Sequence, residues 1–140
     1  MFERSVVVRL GHTDAAGVLY FAEQLRLCHE VYEALLDDAA LPVRDILRGE
    51  PWALPIVRAE ADLERPVFVG DRLSISITLA RAGETSFTLD YTLTRDGTRV
   101  GRARTVHVCV DKSAGDKTLL PVELITALQQ RVGEGQPDGA

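Results

Sequence analysis

The sequence predicts an α+β fold in which an antiparallel sheet of about five strands wraps around one long central helix. Two runs alternate strictly between apolar and polar residues, which is typical of half-buried strands. Their apolar positions are Leu73, Ile75, Ile77 and Leu79 in the first run and Phe87, Leu89, Tyr91 and Leu93 in the second. Apolar residues recur at steps of three and four over 21–36, which predicts the helix.

The remaining elements follow in chain order. Alternation at Val6, Val8 and Leu10 predicts a first strand, and the apolar stripe beginning at Phe21 covers more than half the girth of the helix that follows. Residues 37–52 read as a loop with one helical turn at 43–48, a candidate pocket rim. Residues 54–67 are expected to be extended, so the helix should be followed by four strands in a meander.

The last strand, at 99–110, is less regular than its neighbours. The turn Asp-Gly at 96–97 predicts a hairpin that leads into it. Val106 and Val108 share their phase with Arg102 and Arg104, so either a bulge near Gly101 shifts the register or the arginines leave the core. Residues 121–132 predict a short amphipathic helix, and 133–140 a disordered polar tail.

Composition favours a single cytoplasmic domain at 1–132. The chain has 140 residues, is 46% hydrophobic and carries a net charge of −5, which argues against a broad nucleic-acid surface. We find no apolar run long enough to cross a bilayer, and expect no membrane partner. The two cysteines, Cys28 and Cys109, fall within predicted elements and are expected to be buried free thiols.

One carboxylate, Asp14, lies a few residues ahead of the predicted helix. A carbonyl lying over the first turn of a helix is polarised by the unpaired backbone N–H groups there. A carboxylate on the preceding turn can attack that carbonyl or activate water. This arrangement suits a thioester, because a thiolate leaves without a strong general acid.

Four segments carry a family resemblance. They are Asp-Ala-Ala-Gly-Val-Leu-Tyr-Phe at 14–21, Cys-His-Glu-Val-Tyr-Glu at 28–33, Pro-Ile-Val at 55–57 and Arg-Pro-Val-Phe-Val-Gly-Asp at 65–71. Over residues 6–110 the chain resembles the hotdog-fold acyl-CoA thioesterases of the 4-hydroxybenzoyl-CoA thioesterase type. It looks most like the branch that hydrolyses 1,4-dihydroxy-2-naphthoyl-CoA in phylloquinone and menaquinone synthesis.

The resemblance implies a hotdog fold, an acyl-CoA substrate with an aromatic acyl group, and no cofactor. It also implies active sites at a dimer interface that draw on both subunits, in a family that typically forms tetramers. The sheet itself supports a homo-oligomer, a dimer or a dimer of dimers, since pairing of its open edge about a two-fold axis would satisfy exposed backbone groups.

The catalytic candidates are Asp14, Gly17 and Phe21. Asp14 would act as nucleophile or general base, although an Asp in such a turn can simply bond its own backbone. Gly17 permits a left-handed turn and close approach of the thioester. The resemblance implies that the N–H of Phe21 faces the thioester oxygen, while the side chains of Phe21 and Tyr20 suit core and pocket equally.

Two residues on the helix are further candidates for substrate binding. His29 is either a polar group of the pocket or a buried, hydrogen-bonded histidine, with the second favoured. Glu30 lies where related enzymes often carry an acid, or pairs with Arg26 at four-residue spacing. His12 is read as structural, and the histidines show no metal-ligand spacing, so no metal is expected.

Candidates to hold the phosphates of coenzyme A are Arg58, Arg81, Arg102 and Arg104, although solvated strand faces would explain them equally well. Ser86 is a further substrate-binding candidate. The turn before it reads Gly-Glu-Thr at 83–85, where the 4-hydroxybenzoyl enzyme carries basic residues, so nucleotide contacts must be arranged differently here or be weaker.

Two other functions remain open. The chain could be a thioesterase for short or medium fatty acyl groups on coenzyme A or a carrier protein. It could also be a non-catalytic module that binds acyl-CoA.

Overall fold

The computed structural model describes residues 1–133 and confirms the predicted α+β class, with five antiparallel strands around a long helix. The strands are β1 (Phe2–Val7), β2 (Trp52–Ala53), β3 (Ile56–Leu63), β4 (Arg72–Ala82), β5 (Ser86–Arg95), β6 (Thr98–Val108) and β7 (Val110–Asp111). The helices are α1 (Phe21–Asp38), α2 (Val43–Gly49) and α3 (Val122–Val132). Within residues 1–133, none of these helices is long and apolar enough to cross a membrane.

The order of strands in the main sheet is β1-β4-β5-β6-β3. Strands β4, β5 and β6 form the predicted meander, but the expectation that β3 precedes them as their neighbour is wrong. Strand β3 instead pairs with β6 on the far side of the sheet. The chain then crosses the end of the sheet to reach β4, and the N–H groups of Glu64 and Arg65 both donate to the carbonyl of Val100 on the way (3.0 Å each).

Helix α1 packs across one face of the sheet, as predicted, but its buried side is rotated relative to the predicted stripe. Phe21 begins the predicted apolar stripe, and the sequence assigns its side chain equally to core or pocket, but it is not in the core, since it is 57% exposed. Gln24 is 2% exposed and shares the buried side with Leu27, Cys28, Val31, Tyr32, Leu35 and Leu36. Gln24 contacts the sheet directly, because its side chain bonds the carbonyls of Asp62 on β3 and Arg102 on β6.

Both explanations offered for the irregular β6 hold. Leu93 pairs with Gly101 whereas Thr94 pairs with Arg99, so Val100 is an extra residue that forms a bulge. Beyond the bulge, Arg102 and Arg104 lie opposite Asp62 and Glu60 in the register of β6 with β3. Their side chains point to the outer face of the sheet, the face opposite α1. The inward positions are Ala103, Thr105 and His107.

Helix α3 confirms the predicted amphipathic helix near the C-terminus and buries Leu124, Leu128 and Val132. The expected disordered tail falls almost wholly on residues 134–140, outside the described residues, so that prediction stays untested. Both cysteines are buried and unpaired, as expected, and burial raises the pKa of Cys28 to about 12.

The outer edge of β3 is open. Seven of its eight residues are exposed, and among residues 1–133 the strand is paired only with β6. Such an edge presents a row of unpaired backbone groups to which a second chain can add. The edge is therefore a candidate surface for self-association.

A chain of buried polar groups crosses the core beneath α1. The hydroxyl of Tyr91 lies 3.0 Å from Thr105 Oγ1, which lies 2.7 Å from Nε2 of His107. The His107 ring stacks on Phe87 with the centroids 4.6 Å apart, and its Nδ1 is buried without a hydrogen-bond partner among residues 1–133. Burial, with a smaller contribution from His29, lowers the pKa of His107 to about 3. The histidine is therefore neutral in the folded protein at physiological pH.

The neutral His107 should make the protein sensitive to acid. Its pKa rises from about 3 in the folded state to about 6.5 on unfolding, so protonation favours the unfolded chain. The contribution of neutral His107 to the free energy of unfolding is complete above pH 6.5. It is lost as pH falls toward 3, at about 1.4 kcal/mol per pH unit. Urea unfolding of the wild type at pH 4, 5 and 6 should show this slope. In His107→Phe the slope should be shallower by about that amount, and equal slopes would contradict the assignment.

Candidate active site

Asp14 lies in a tight hairpin of residues 13–19, which we call the Asp14 hairpin. The N–H of Asp14 donates to the carbonyl of Val18 (2.9 Å), and the N–H of Gly17 donates to the carbonyl of Asp14 (3.0 Å). Gly17 has a φ of 77°, a left-handed conformation that residues with a Cβ adopt at a cost. The left-handed turn predicted at this glycine is therefore present.

The two carboxylate oxygens of Asp14 have different surroundings. Oδ1 accepts hydrogen bonds from the N–H groups of Ala16 (2.8 Å) and Val18 (3.2 Å). Oδ2 accepts none from residues 1–133, and Asp14 is exposed. Thus Asp14 does bond its own backbone, as the alternative interpretation anticipated, but it uses only one oxygen to do so. The other oxygen is available to a ligand.

Helix α1 begins without a side-chain cap. Tyr20 occupies the N-cap position, and its carbonyl accepts from the N–H groups of Glu23 (2.9 Å) and Gln24 (3.1 Å). The N–H groups of Phe21 and Ala22 donate to no atom of the described residues. The side chains of Tyr20 and Phe21 are exposed and adjacent, with ring centroids 4.6 Å apart. The helix thus offers two free amide donors beside exposed aromatic rings.

The segment at 66–71 supports the Asp14 hairpin from behind. Leu19 N–H donates to the carbonyl of Val67 (2.7 Å), and Val69 N–H donates to the carbonyl of Gly17 (3.2 Å). Asp71 closes this segment, since its Oδ2 accepts from the Phe68 N–H (2.9 Å) and from Arg95 (2.7 Å).

The same contacts set the charge state of Asp71. The Phe68 N–H, and after it the Arg95 guanidinium, hold the pKa of the Asp71 carboxyl below its usual value. The carboxylate is therefore ionised wherever the protein is folded near neutral pH.

A cavity of about 180 Å³ lies between the Asp14 hairpin, the first turn of α1 and the chain that follows β3. It is lined by Val18, Leu19, Gln24, Leu63 and residues 64–67. The Gln24 side chain donates from Nε2 to the carbonyls of Asp62 (3.1 Å) and Arg102 (3.2 Å). We did not predict a role for Gln24. The available signal was a polar residue at helical spacing from Cys28 and Val31, on the buried side of α1.

The histidine and glutamate candidates lie away from this cavity. His29 was expected to be buried, but its side chain is 46% exposed, with Nε2 3.9 Å from Glu33. It lies about 12 Å along α1 from Phe21, at 1.5 Å per residue. Glu30 is exposed and does not pair with Arg26, which instead bonds Glu23 at 3.0 Å. His12 is structural as expected, because its Nδ1 accepts from the N–H of Arg9 (2.9 Å).

Three of the basic candidates, Arg58, Arg102 and Arg104, lie on the outer face of the sheet, each beside an acid. The fourth, Arg81, is exposed near the end of β4. The shortest separations are 2.7 Å for Arg58 and Glu60, 3.3 Å for Arg102 and Asp62, and 2.6 Å for Arg104 and Asp90. An arginine already paired with a carboxylate must exchange that partner to bind phosphate.

Ser86 is also distant from Asp14 within one protomer. It begins the ten-residue β5, whose other end, Arg95, contacts the segment behind the Asp14 hairpin. At about 3.3 Å per residue the two ends are roughly 30 Å apart. Of the predicted site residues, one protomer therefore brings together Asp14, Gly17, Tyr20 and Phe21. Within residues 1–133, no cluster of His, Cys, Asp or Glu could hold a metal ion.

The profile of the thioesterase-like superfamily matches residues 8–130. The chain belongs to this superfamily. It is 40% identical to a 1,4-dihydroxy-2-naphthoyl-CoA hydrolase of Nostoc punctiforme over 136 residues, which is 96% of this chain and 92% of the relative. A hydrolase of the same name from Synechococcus elongatus is 41% identical over 125 residues, or 88% of this chain and 91% of the relative.

A solved structure agrees with these relatives. The crystal structure of a 1,4-dihydroxy-2-naphthoyl-CoA thioesterase from Synechocystis aligns with a TM-score of 0.85 and 36% identity, covering 91% of this chain and 94% of that chain. The hotdog fold and the thioesterase resemblance expected from the sequence are thereby confirmed.

Removing the Asp71 carboxylate should loosen the support of the Asp14 hairpin. Asp71→Ala deletes a charged acceptor for the Phe68 N–H and for Arg95, so we expect a loss of about 1–2 kcal/mol in the free energy of unfolding. Urea denaturation of Asp71→Ala, Arg95→Ala and the double variant gives the coupling between the two side chains. A coupling of about 0.5–1 kcal/mol is expected for this partly exposed pair, and strictly additive losses would contradict the interaction.

Proposed function

We propose that the protein is an acyl-CoA thioesterase that hydrolyses 1,4-dihydroxy-2-naphthoyl-CoA. One observation carries the proposal: a carboxylate oxygen with no partner among the described residues and two free amide donors lie in consecutive segments, joined through a short hairpin. The similarity to hydrolases of that name over most of the chain supports the substrate. The setting proposed is the cytoplasm, since two unpaired cysteines fit a reducing compartment.

In the proposed mechanism, the thioester carbonyl oxygen accepts from the Phe21 N–H, with the Ala22 N–H as a second donor. These fixed dipoles, at the positive end of α1, stabilise the negative charge that develops on that oxygen. Because N–H donors of the backbone cannot reorient far, the stabilisation costs little reorganisation. Because Gly17 has no side chain, the thioester can approach the backbone of the Asp14 hairpin closely at this position.

Asp14 supplies the second half of the chemistry. As a nucleophile, Oδ2 bonds to the carbonyl carbon, the C–S bond breaks and the coenzyme A thiolate leaves. Water then cleaves the mixed anhydride to release the acid and regenerate the carboxylate. As a general base, Oδ2 instead takes a proton from the water that attacks the same carbon. Both routes use the same oxygen, and neither includes a cofactor.

We further propose that the site is completed in a homodimer, or a dimer of dimers, formed through the open edge of β3. Among the predicted substrate-binding residues, His29, Glu30 and Ser86 lie away from the Asp14 hairpin in one protomer. The side chains of Arg58, Arg102 and Arg104 are paired with acids on the outer face of the sheet. A partner related by a two-fold axis along this edge would place its own copies of these residues across the interface from Asp14. The coenzyme A moiety would then contact the partner's copies of these residues.

Asp14→Asn should abolish most turnover while preserving the fold. The amide oxygen of Asn can still accept from the N–H groups of Ala16 and Val18, so the hairpin persists. The charge needed for attack or proton transfer is lost, and we expect kcat to fall by about 10²–10⁴-fold. The measurement is free-thiol release from 1,4-dihydroxy-2-naphthoyl-CoA, with binding of the substrate followed separately by calorimetry.

Asp14→Ala is the matched control, because it removes both the charge and the hairpin bonds. It should lose activity and also stability, whereas Asp14→Asn should lose activity alone. Full turnover in Asp14→Asn would refute the proposed role.

A panel of benzoyl, short-chain and medium-chain thioesters, tested on the wild type, distinguishes an aromatic from an aliphatic thioesterase. Saturable binding without thiol release would indicate a binding module.

The proposed dimer can be tested at Val57, an apolar residue of β3 that is 61% exposed. Val57→Lys would place a charge within the interface, so the wild-type dimer or tetramer should dissociate to smaller species in analytical ultracentrifugation. Leu47→Lys is the control, since Leu47 is 67% exposed on α2 and is not part of β3, and it should leave the mass unchanged. A monomeric wild type at micromolar concentration would contradict the proposal.

A further inference from the structure

We propose that the side-chain carbonyl of Gln24 accepts a hydrogen bond from a hydroxyl on the acyl ring, and so selects hydroxylated aromatic substrates. This inference rests on the proposed thioesterase function and deepens it. It assigns a specificity-determining residue to the cavity beside the Asp14 hairpin.

The orientation of the Gln24 amide is fixed by its donor half. Nε2 donates to two main-chain carbonyls, those of Asp62 (3.1 Å) and Arg102 (3.2 Å), which lie on two neighbouring strands. Rotating the amide by half a turn would bring Oε1 against both carbonyl oxygens, where acceptors face acceptors. The position of Oε1 is therefore set by the sheet.

Oε1 has no donor among the described residues, although Gln24 is 2% exposed. The only buried side-chain polar atom in residues 1–133 that lacks both a partner and solvent contact is Nδ1 of His107. Oε1 therefore keeps access to open space, and the open space that Gln24 lines is the cavity of about 180 Å³. A largely buried acceptor without a donor is costly, so a ligand that supplies one is favoured.

The backbone around Gln24 makes room for this amide. A Cβ added at Gly101 would lie 3.1 Å from Oε1 and 2.9 Å from the carbonyl oxygen of Asp62. Gly101 follows the bulge at Val100, which brings the bare backbone of β6 against the amide. Helix, bulge and glycine thus combine to hold one acceptor at the cavity wall.

The chemistry of the cavity matches a hydroxylated aromatic ring. Its apolar wall includes Val18, Leu19 and Leu63, and a cavity of about 150 Å³ with apolar walls can hold a benzene ring. In a 1,4-dihydroxy-2-naphthoyl thioester, the hydroxyl at position 1 lies next to the carbonyl and bonds to it. The hydroxyl at position 4 has no such internal acceptor, so it is the donor that Oε1 can receive.

The test compares two substrates in two proteins. We would measure kcat/KM for 1,4-dihydroxy-2-naphthoyl-CoA and for 1-hydroxy-2-naphthoyl-CoA, which lacks the hydroxyl at position 4. The ratio of the two, corrected for their uncatalysed hydrolysis rates, should be about tenfold or more in the wild type. In Gln24→Met, which keeps the length of the side chain without its polar atoms, the ratio should fall to about one.

Leu63→Ala is the matched control, because it changes the volume of the same cavity without removing a polar atom. It should change turnover of both substrates by a similar factor and leave the ratio near the wild-type value. Circular dichroism and thermal melting establish that each variant is folded before its kinetics are compared.

Each outcome decides the inference. An equal loss on both substrates in Gln24→Met would mean that Gln24 only anchors the helix, and would overturn it. A corrected wild-type ratio near one would overturn it even if Gln24→Met fails to fold. Absence of thiol release from either substrate in the wild type would instead overturn the proposed thioesterase function, and with it the basis of this inference.

Discussion

The start of α1 is held in place by main-chain hydrogen bonds instead of a side-chain cap. Tyr20 N–H donates to the carbonyl of His12 (3.0 Å), and Leu19 N–H donates to Val67 (2.7 Å), so the chain enters the helix from a fixed direction. An N-cap Ser or Asp would have consumed an amide of the first turn. Such a cap accepts from the second or third helical residue, here Ala22 or Glu23. Without one, the N–H of Ala22 stays available beside that of Phe21, and the chemistry proposed for the site uses both donors. Gln24 then fastens the same turn to β3 and β6.

In the proposed mechanism, the Asp14 carboxylate combines a structural role in the hairpin with a role in the chemistry. One oxygen organises the hairpin through two backbone amides, and the other is unbonded within the described chain. The turn therefore orients the reactive oxygen and does not compete with it. The open edge of β3 is exposed backbone to which a second strand can add. In the proposed dimer, this edge would bring a second copy of the binding residues to the site.

The sequence by itself determined the elements and their local chemistry. Period-two alternation defined β4 and β5, and period-three-and-four spacing defined α1, because both patterns record which side of a single element is buried. The left-handed Gly17 and the carboxylate ahead of the helix were also predictable, since their geometry is decided within a few residues. The four motifs at 14–21, 28–33, 55–57 and 65–71 together indicated the thioesterase resemblance, and the chain belongs to the thioesterase-like superfamily.

Only the tertiary structure decided what depends on residues far apart in the chain. The pairing of β3 with β6 instead of β4 joins strands that are separated in the chain by β4 and β5. The exposure of Phe21 and the burial of Gln24 depend on how α1 packs against the sheet. Arg26 has Glu23 three residues before it and Glu30 four residues after it, and residue spacing permits an ion pair with either. In the structure it pairs with Glu23. The orientation of the Gln24 amide is fixed because carbonyls of two strands accept from it and the backbone of Gly101 lies against it. Such convergence is a property of packing, and no local pattern encodes it.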